Sequence, residues 1–316
     1  MKEEVAYLVK NGLAIQSTSP WGSPCLLVPH GKVRLCTDYR KVNLVTVKDS
    51  YPLPRIDDIL DAIGNAKYLT QIDMLRGYYQ ILLTDRAKLI SAFITPFGLF
   101  QYERLPFGLS NAPATFQRVV NGVIQDLDGT YAYIDDIVLV SDTWEEHLDR
   151  LQALFARLKE AGLTVNLAKS TFCKAKVRYL GHIIGCGEII PKTENIAAIT
   201  EFPVPTNRKS LLRFLGMTSY YRKFCKNFSI VATPLIELTS PKKKFTWSDS
   251  CQKAFEQLKD VLCSSPVLAA PDLSRPFIIQ VDACDTGIGA VLMQENPDTQ
   301  MLHPVCYYSY KLKTQH

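Results

Sequence analysis

The chain has 316 residues, 47% hydrophobic and 21% charged, an ordinary globular balance at a length that favours two or three subdomains over one core. No apolar run approaches the roughly 18 residues of a membrane span, and Met1-Lys2-Glu3-Glu4 is too charged for a secretory leader. Nine cysteines, an odd number with no C-x-x-C pair, read as reduced thiols of a cytosolic or nuclear protein, not as a disulfide frame or a zinc site.

In chain order, Ser19-Pro20-Trp21-Gly22-Ser23-Pro24 is turn-rich, and Cys25 to Val28 and Val33 to Thr37 are short β-like runs. After Tyr51-Pro52-Leu53-Pro54, the spacing of Ile59, Leu60 and Ile63 predicts a short helix from Asp57, ended by Gly64-Asn65. Tyr68 to Asp73 reads as a buried strand and Ile81 to Leu83 as a further one, with helix from Ser110 to Gly122. Tyr131 to Ile134 and Ile137 to Val140 are apolar β runs separated by Asp135-Asp136, a hairpin pattern. Thr143-Trp144-Glu145-Glu146 fits a capping box opening a helix with Leu148, Leu151, Leu154, Phe155 and Leu158 on one face, stopping at Gly162. A single strand-like run, Val177 to Ile184, precedes Gly185 and Gly187.

Pro203 and Pro205 mark a boundary. Helices are expected over Ser210 to Phe224 and Ser250 to Leu262. A second boundary near Pro266 to Pro271 leads into β runs at Phe277 to Val281, Ile288 to Met293 and Pro304 to Tyr308. The net charge of +5 is unevenly spread: Phe202 to Ile236 holds no acid but has Arg208, Lys209, Arg213, Arg222, Lys223 and Lys226. Such a stretch is either a solvated helix face or a surface that tracks a phosphate backbone.

The chemistry centres on carboxylates. The plainer reading of Asp135-Asp136 is a hairpin turn, yet the strongest two-residue turns use Gly or Asn for their positive φ. Two adjacent carboxylates also repel, and a divalent cation would offset them. Asp73, at a second strand end, precedes Arg76-Gly77-Tyr78-Tyr79, where glycine admits close backbone approach. Three carboxylates at strand ends can converge on two Mg²⁺ ions, a set suited to nucleotide phosphates.

Tyr133-Ile134-Asp135-Asp136 resembles the Y-x-D-D motif of reverse transcriptases, and Leu69 to Ile81 looks like their first aspartate motif. The run Arg104-Leu105-Pro106-Phe107-Gly108-Leu109-Ser110-Asn111-Ala112-Pro113-Ala114-Thr115-Phe116 is similar to the signature of gypsy-like LTR retrotransposons. The likeness extends from Cys36-Thr37-Asp38-Tyr39-Arg40 to Phe277-Ile278-Ile279-Gln280-Val281-Asp282-Ala283, nearly the whole chain. It implies an α/β (α+β) right-hand polymerase: fingers and palm over 1–187, thumb and connection over 188–270, and the start of an RNase H-like segment over 271–316.

In that family Asp73, Asp135 and Asp136 would hold Mg²⁺ or Mn²⁺, Arg34 would grip the incoming triphosphate, and Arg76 and Gly77 would offer backbone N–H groups to it. Tyr78 would exclude a ribose 2′-OH, Phe107 and Gly108 would pack on the nucleotide, and Lys169 would protonate pyrophosphate. Tyr179, Leu180 and Gly181 would hold the primer. The partners implied are dNTPs and an RNA or DNA template with its primer. Each residue also has a plainer reading: an exposed strand arginine for Arg34, core aromatics for Tyr78 and Phe107, a surface lysine for Lys169. The resemblance implies a fingers lysine in this region, and either His30 or Lys32 takes its place. Asp282 matches the first RNase H aspartate; one carboxylate cannot build a two-metal site, so no RNase H activity is expected of these residues alone. The competing reading is a non-catalytic nucleic-acid-binding remnant; a cofactor enzyme is disfavoured, since no P-loop or dinucleotide fingerprint occurs.

Overall fold

Residues 1–28, 34–264, 267–284, 287–297 and 299–312 are described by a computed structural model. His30 and Lys32 lie outside the described residues. The chain divides into two compact units, residues 1–55 with 70–173, and residues 56–69 with 174–316.

Two sheets build the first unit. One is five-stranded, ordered Ala14–Gln16, Gly98–Tyr102, Phe93–Thr95, Ser23–Val28, Arg34–Thr37, with a parallel pairing between Ser23–Val28 and Phe93–Thr95. The other is four-stranded, ordered Thr130–Tyr133, Asp136–Ser141, Tyr68–Asp73, Thr171–Lys174. Side chains alternate along a strand, so Ile72 points into the core while Gln71 and Asp73 face the other side and stay partly open. Beneath this sheet pack the helices Ala112–Ile124 and Trp144–Glu160. Phe116, Val120, Leu154 and Leu158 join Ile72, Ala132, Ile137 and Leu139 in one buried cluster. Truncating one of these buried leucines to alanine costs about 2–5 kcal/mol, which keeps the carboxylate-bearing strands on a rigid floor.

The long helix starts as its sequence dictates, with the Thr143 hydroxyl accepting the Glu146 N–H. Only half of the expected capping box forms: the Glu146 carboxylate accepts from the N–H of Asp142 rather than that of Thr143. Leu148 does not join the buried face; it is 45% exposed, because the helix turns His147 inward instead. His147 Nε2 meets Thr70 Oγ1 at 2.8 Å and Nδ1 meets Ser141 Oγ at 2.9 Å. No strand forms at Ile81–Leu83. The 3₁₀ turn Gly77–Gln80 and the Thr84-capped helix Asp85–Ile90 leave room for one bridge, Leu82 to Arg104.

The second unit contains the helix Ile56–Ile63 and a four-stranded sheet ordered Val177–Tyr179, His182–Gly185, Glu188–Pro191, Leu268–Ala269. The single strand expected from Val177 to Ile184 is therefore a tight hairpin, folded at Leu180 (φ 44°) and Gly181 (φ 75°). Positive φ at both loop residues is the geometry that matches the twist of paired strands. Helices Thr193–Thr200, Arg208–Tyr220 and Asp249–Cys263 follow, then an antiparallel sheet of Ile278–Cys284, Gly287–Glu295 and Leu302–Lys311. Among the described residues the nine cysteines form no disulfide, and no helix is long and apolar enough to cross a membrane.

Candidate nucleotidyl-transfer site

The Asp135-Asp136 hairpin is displaced by one residue from its expected register. Tyr133 pairs with Asp136, so Ile134 and Asp135 form the turn and Asp136 begins the strand Asp136–Ser141. The positive φ falls on Ile134 (56°), not on an aspartate. A β-branched residue is a poor occupant of that region, at a cost of about 1–2 kcal/mol. Its surroundings hold it there: the buried Gln117 accepts the Ile134 N–H at 2.7 Å. The Asp135 carbonyl accepts the Met74 N–H at 3.0 Å, fastening the turn to the end of the strand Tyr68–Asp73.

Asp73 is strapped from a third direction. Its N–H donates to Ser170 Oγ at 3.1 Å, and its carbonyl accepts the Asn166 N–H at 2.8 Å. This turn carries the exposed Lys169, whose charge acts on Asp136. Burial, then the neighbouring Asp135, push the Asp136 carboxyl up to about 6; Gln71 opposes this, Asp73 adds to it, and Lys169 opposes it again. The three aspartates thus share one electrostatic field. They are not a ready-made cage, however: among the described residues no group of three or more His, Cys, Asp or Glu is arranged to hold a metal ion. Asp135 projects from the exposed turn while Asp136 is turned toward Gln71, with Nε2 3.5 Å from Oδ1. Neighbouring carboxylates that repel one another suit a divalent cation, and an incomplete shell fits Mg²⁺, which takes few carboxylates and the rest of its oxygens from phosphates and water.

Beside the turn, Gly77 is required by packing. A Cβ there would meet Asp135 Cβ at 3.0 Å and Phe116 Cζ at 3.3 Å. Tyr78 lies between Phe107 and Phe116, with ring centroids 4.9 and 5.5 Å away. Burial and the Asp135 charge both raise its phenol pKa. Phe107 is 53% exposed, an aromatic surface open to a ligand, and Gly108 (φ 97°) gives its carbonyl to Asn43 Nδ2 at 2.8 Å. The Arg76 guanidinium lies over the Tyr7 ring at 4.6 Å. Arg34 begins the strand Arg34–Thr37, opposite Val28.

In the second unit, the Tyr179-Leu180-Gly181 turn is held by side chains that the sequence reading missed. The hydroxyls of Tyr220 and Tyr221 donate to the carbonyls of Leu180 and Gly181 at 2.7 and 3.0 Å, and His182 Nδ1 reaches the Leu180 carbonyl at 2.8 Å. Asp282 is exposed on the strand Ile278–Cys284. Much of the basic stretch is internally engaged. Arg208 donates to the Lys243 carbonyl, Arg222 donates to the Ser309 carbonyl at 3.1 Å, and Lys223 pairs with Asp57 at 2.8 Å.

Gln117, Gln71 and Ser170 were likewise missed in the first unit. Gln117 alone had a signal in the chain, being an amide on the apolar side of a helix next to Phe116 and Val120. A buried polar group at such a position needs partners.

The protein is a mixed α/β scaffold with acids grouped at one sheet end, beside an open aromatic surface. It belongs to the reverse transcriptase (RNA-dependent DNA polymerase) family, which matches residues 23–184, and residues 247–316 match the RNase H-like domain found in reverse transcriptase. The retrovirus-related Pol polyprotein from transposon opus of Drosophila melanogaster is 38% identical over 332 residues, covering 99% of this chain and 33% of that protein. The corresponding polyprotein from transposon gypsy of the same organism is 34% identical over 324 residues, covering 96% and 31%. The foamy viral protease-reverse transcriptase in complex with RNA/DNA hybrid matches with a TM-score of 0.85 and 27% identity, over 99% of this chain and 42% of that one. The chain spans about a third of the length of these curated relatives, and they bear out the retrotransposon resemblance of its motifs.

Proposed function

We propose that this chain extends a primer on an RNA or DNA template by nucleotidyl transfer from dNTPs. The observation that carries the reading is the Met74 N–H to Asp135 carbonyl bond of 3.0 Å, which fastens the turn bearing Asp135 and Asp136 to the end of the strand bearing Asp73; burial first, then the charges of Asp135 and Asp73, raise the Asp136 carboxyl to about 6. Held by these carboxylates, Mg²⁺ or Mn²⁺ would supply Lewis-acid stabilisation of the transferring phosphoryl group and a more acidic primer hydroxyl.

The remaining roles belong to the chain's own residues. Arg34 pairs with the triphosphate, bidentate by the geometry of guanidinium and phosphate. Arg76 and Gly77 present backbone N–H groups to it. Tyr78, fixed between Phe107 and Phe116, excludes a 2′-hydroxyl, while Phe107 and Gly108 pack against the sugar and base. Lys169 donates a proton to the departing pyrophosphate. The turn at Tyr179, Leu180 and Gly181 holds the primer strand. Nucleic-acid binding is also supported by the foamy viral relative, whose structure contains an RNA/DNA hybrid. Asp282 contributes one carboxylate to the RNase H-like part. The segments 188–270 and 271–316 serve as thumb with connection and as RNase H-like domain.

The test is primer extension on an RNA template with Mg²⁺ or Mn²⁺, beside Asp135→Asn. Metal-dependent extension that disappears in the variant supports the reading. Template–primer binding without extension by the wild type would replace it with a non-catalytic nucleic-acid-binding protein.

A further inference from the structure

Gln117 touches the carboxylate turn without being part of it. It is fully buried in the helix Ala112–Ile124, and every polar atom of its amide is used. Oε1 accepts the N–H of Ile134 at 2.7 Å. Nε2 donates to the Ala132 carbonyl at 3.0 Å and to Asn121 Oδ1 at 2.8 Å. The amide has one workable orientation, because the reverse would set a donor against the Ile134 N–H and an acceptor against the Ala132 carbonyl.

The chain of bonds continues outward. Asn121 Nδ2 donates to the Tyr51 hydroxyl at 2.7 Å. The Tyr51 ring lies under the Arg118 guanidinium at 4.8 Å, and Arg118 reaches both carboxylate oxygens of Asp49 at 2.7 Å. Asp49 also accepts the Tyr51 N–H at 2.9 Å. A connected set of polar contacts thus runs from the loop at residues 49–51, through two amides one helical turn apart, to the peptide at which Ile134 takes φ 56°.

We infer that Gln117 is a positioning residue for the proposed nucleotidyl transfer, holding the turn that bears Asp135 and Asp136 in its left-handed conformation, with Asn121 and Tyr51 fixing the amide of Gln117. The inference rests on the polymerase reading. Its physical basis is the peptide between Tyr133 and Ile134, whose N–H Gln117 accepts. Without an acceptor for its N–H, Ile134 has no reason to keep a backbone conformation that β-branched residues avoid. Relaxation there rotates Asp135, whose carbonyl holds the Met74 N–H at the end of the strand carrying Asp73. Loss of Gln117 therefore acts on both strands that supply carboxylates.

The experiment uses the full chain with Gln117→Met, which conserves volume but cannot bond, and Tyr51→Phe, which removes one hydroxyl at the outer end of the chain. Single-turnover and steady-state extension, template–primer affinity, and binding of Mn²⁺ alone by electron paramagnetic resonance are measured for each. In Gln117→Met we expect kcat to fall about tenfold to a hundredfold, with KM for dNTP and template–primer affinity within about twofold of wild type. Affinity for Mn²⁺ weakens about tenfold, as when an outer partner of a metal ligand is removed. Tyr51→Phe shows the same pattern at about threefold, and stands in if Gln117→Met does not fold. Wild-type kcat and Mn²⁺ affinity in both variants, with only a lower melting temperature, overturn the inference. If the wild type binds Mn²⁺ but extends nothing, the polymerase reading falls, while weaker Mn²⁺ binding by Gln117→Met still supports Gln117 as the support of the turn. If the wild type neither extends nor binds Mn²⁺, both fall.

Discussion

The backbone N–H of Met74 donates to the carbonyl of Asp135 at 3.0 Å, so the strand that ends in Asp73 and the turn that carries the other two aspartates form one hydrogen-bonded unit. Carboxylates far apart in the chain are thereby held by backbone rather than by flexible side-chain contacts, the preorganised arrangement that charge stabilisation requires.

Replacing any one of these acids should abolish chemistry before it affects folding. Asp73→Asn and Asp136→Asn are each expected to lower primer extension by about a hundredfold or more, the several kcal/mol carried by charge stabilisation in a metal site. Template–primer affinity should stay near wild type. Extension and filter-binding assays on the same preparations separate the two.

Gly77 should tolerate no side chain. Gly77→Ala puts a methyl against Asp135 Cβ at 3.0 Å and Phe116 Cζ at 3.3 Å. Overpacking of this kind costs about 1–3 kcal/mol, and the turn is the part free to move. We expect a modest drop in melting temperature with a much larger loss of extension. An unchanged kcat would show that the turn absorbs the methyl without displacement.

Sugar discrimination should depend on the Tyr78 ring. It is braced by Phe107 and Phe116, so Tyr78→Ala opens space without removing a neighbour. Preference for dNTPs over rNTPs is expected to fall about tenfold or more, since rejection of an added hydroxyl by shape alone is limited to about a hundredfold. The ratio of kcat/KM values for dGTP and GTP measures it.

The turn at Leu180 should be sensitive to Tyr220. Its hydroxyl donates to the Leu180 carbonyl at 2.7 Å, and Tyr220→Phe removes that bond at a cost of about 1 kcal/mol. Primer affinity should weaken a few-fold, with the rate of the bound complex unchanged.

His182 should take stability away in mild acid, opposite in sign to Asp136, whose raised carboxyl adds stability as pH falls through about 6. Burial, and secondarily the charge of Lys223, push the His182 pKa down to about 4. A depressed pKa means that the unfolded chain binds the proton more readily. The stabilisation is therefore complete above about 6.5, the unfolded value, and is lost as pH falls through the folded value. The loss amounts to about 3 kcal/mol between those limits. The difference between the denaturation profiles of wild type and His182→Phe should isolate this contribution, the variant also forfeiting the Nδ1 contact to Leu180.

Read as a string of residues, the chain already determined its family and most of its strand-helix order, and it singled out three acids as candidates. Local pattern carries that information: apolar periodicity marks Tyr68 to Asp73 and the helices, and few chemistries need carboxylates at strand ends beside Gly77 and Tyr78. Tertiary structure decided the rest. Residues Tyr131 to Ile137 leave the hairpin register open by one position, and only the pairing of Tyr133 with Asp136, with Gln117 waiting for the Ile134 N–H, puts the strain on isoleucine. Leu148 fits the periodicity of its helix but is exposed, because Thr70 and Ser141 offer partners that draw His147 inward. Gln117, Ser170 and Tyr220 act on residues 17, 97 and 40 positions away. A hydrogen bond between distant positions leaves no periodic trace in a single sequence, since its partners meet only when sheet and helices have packed.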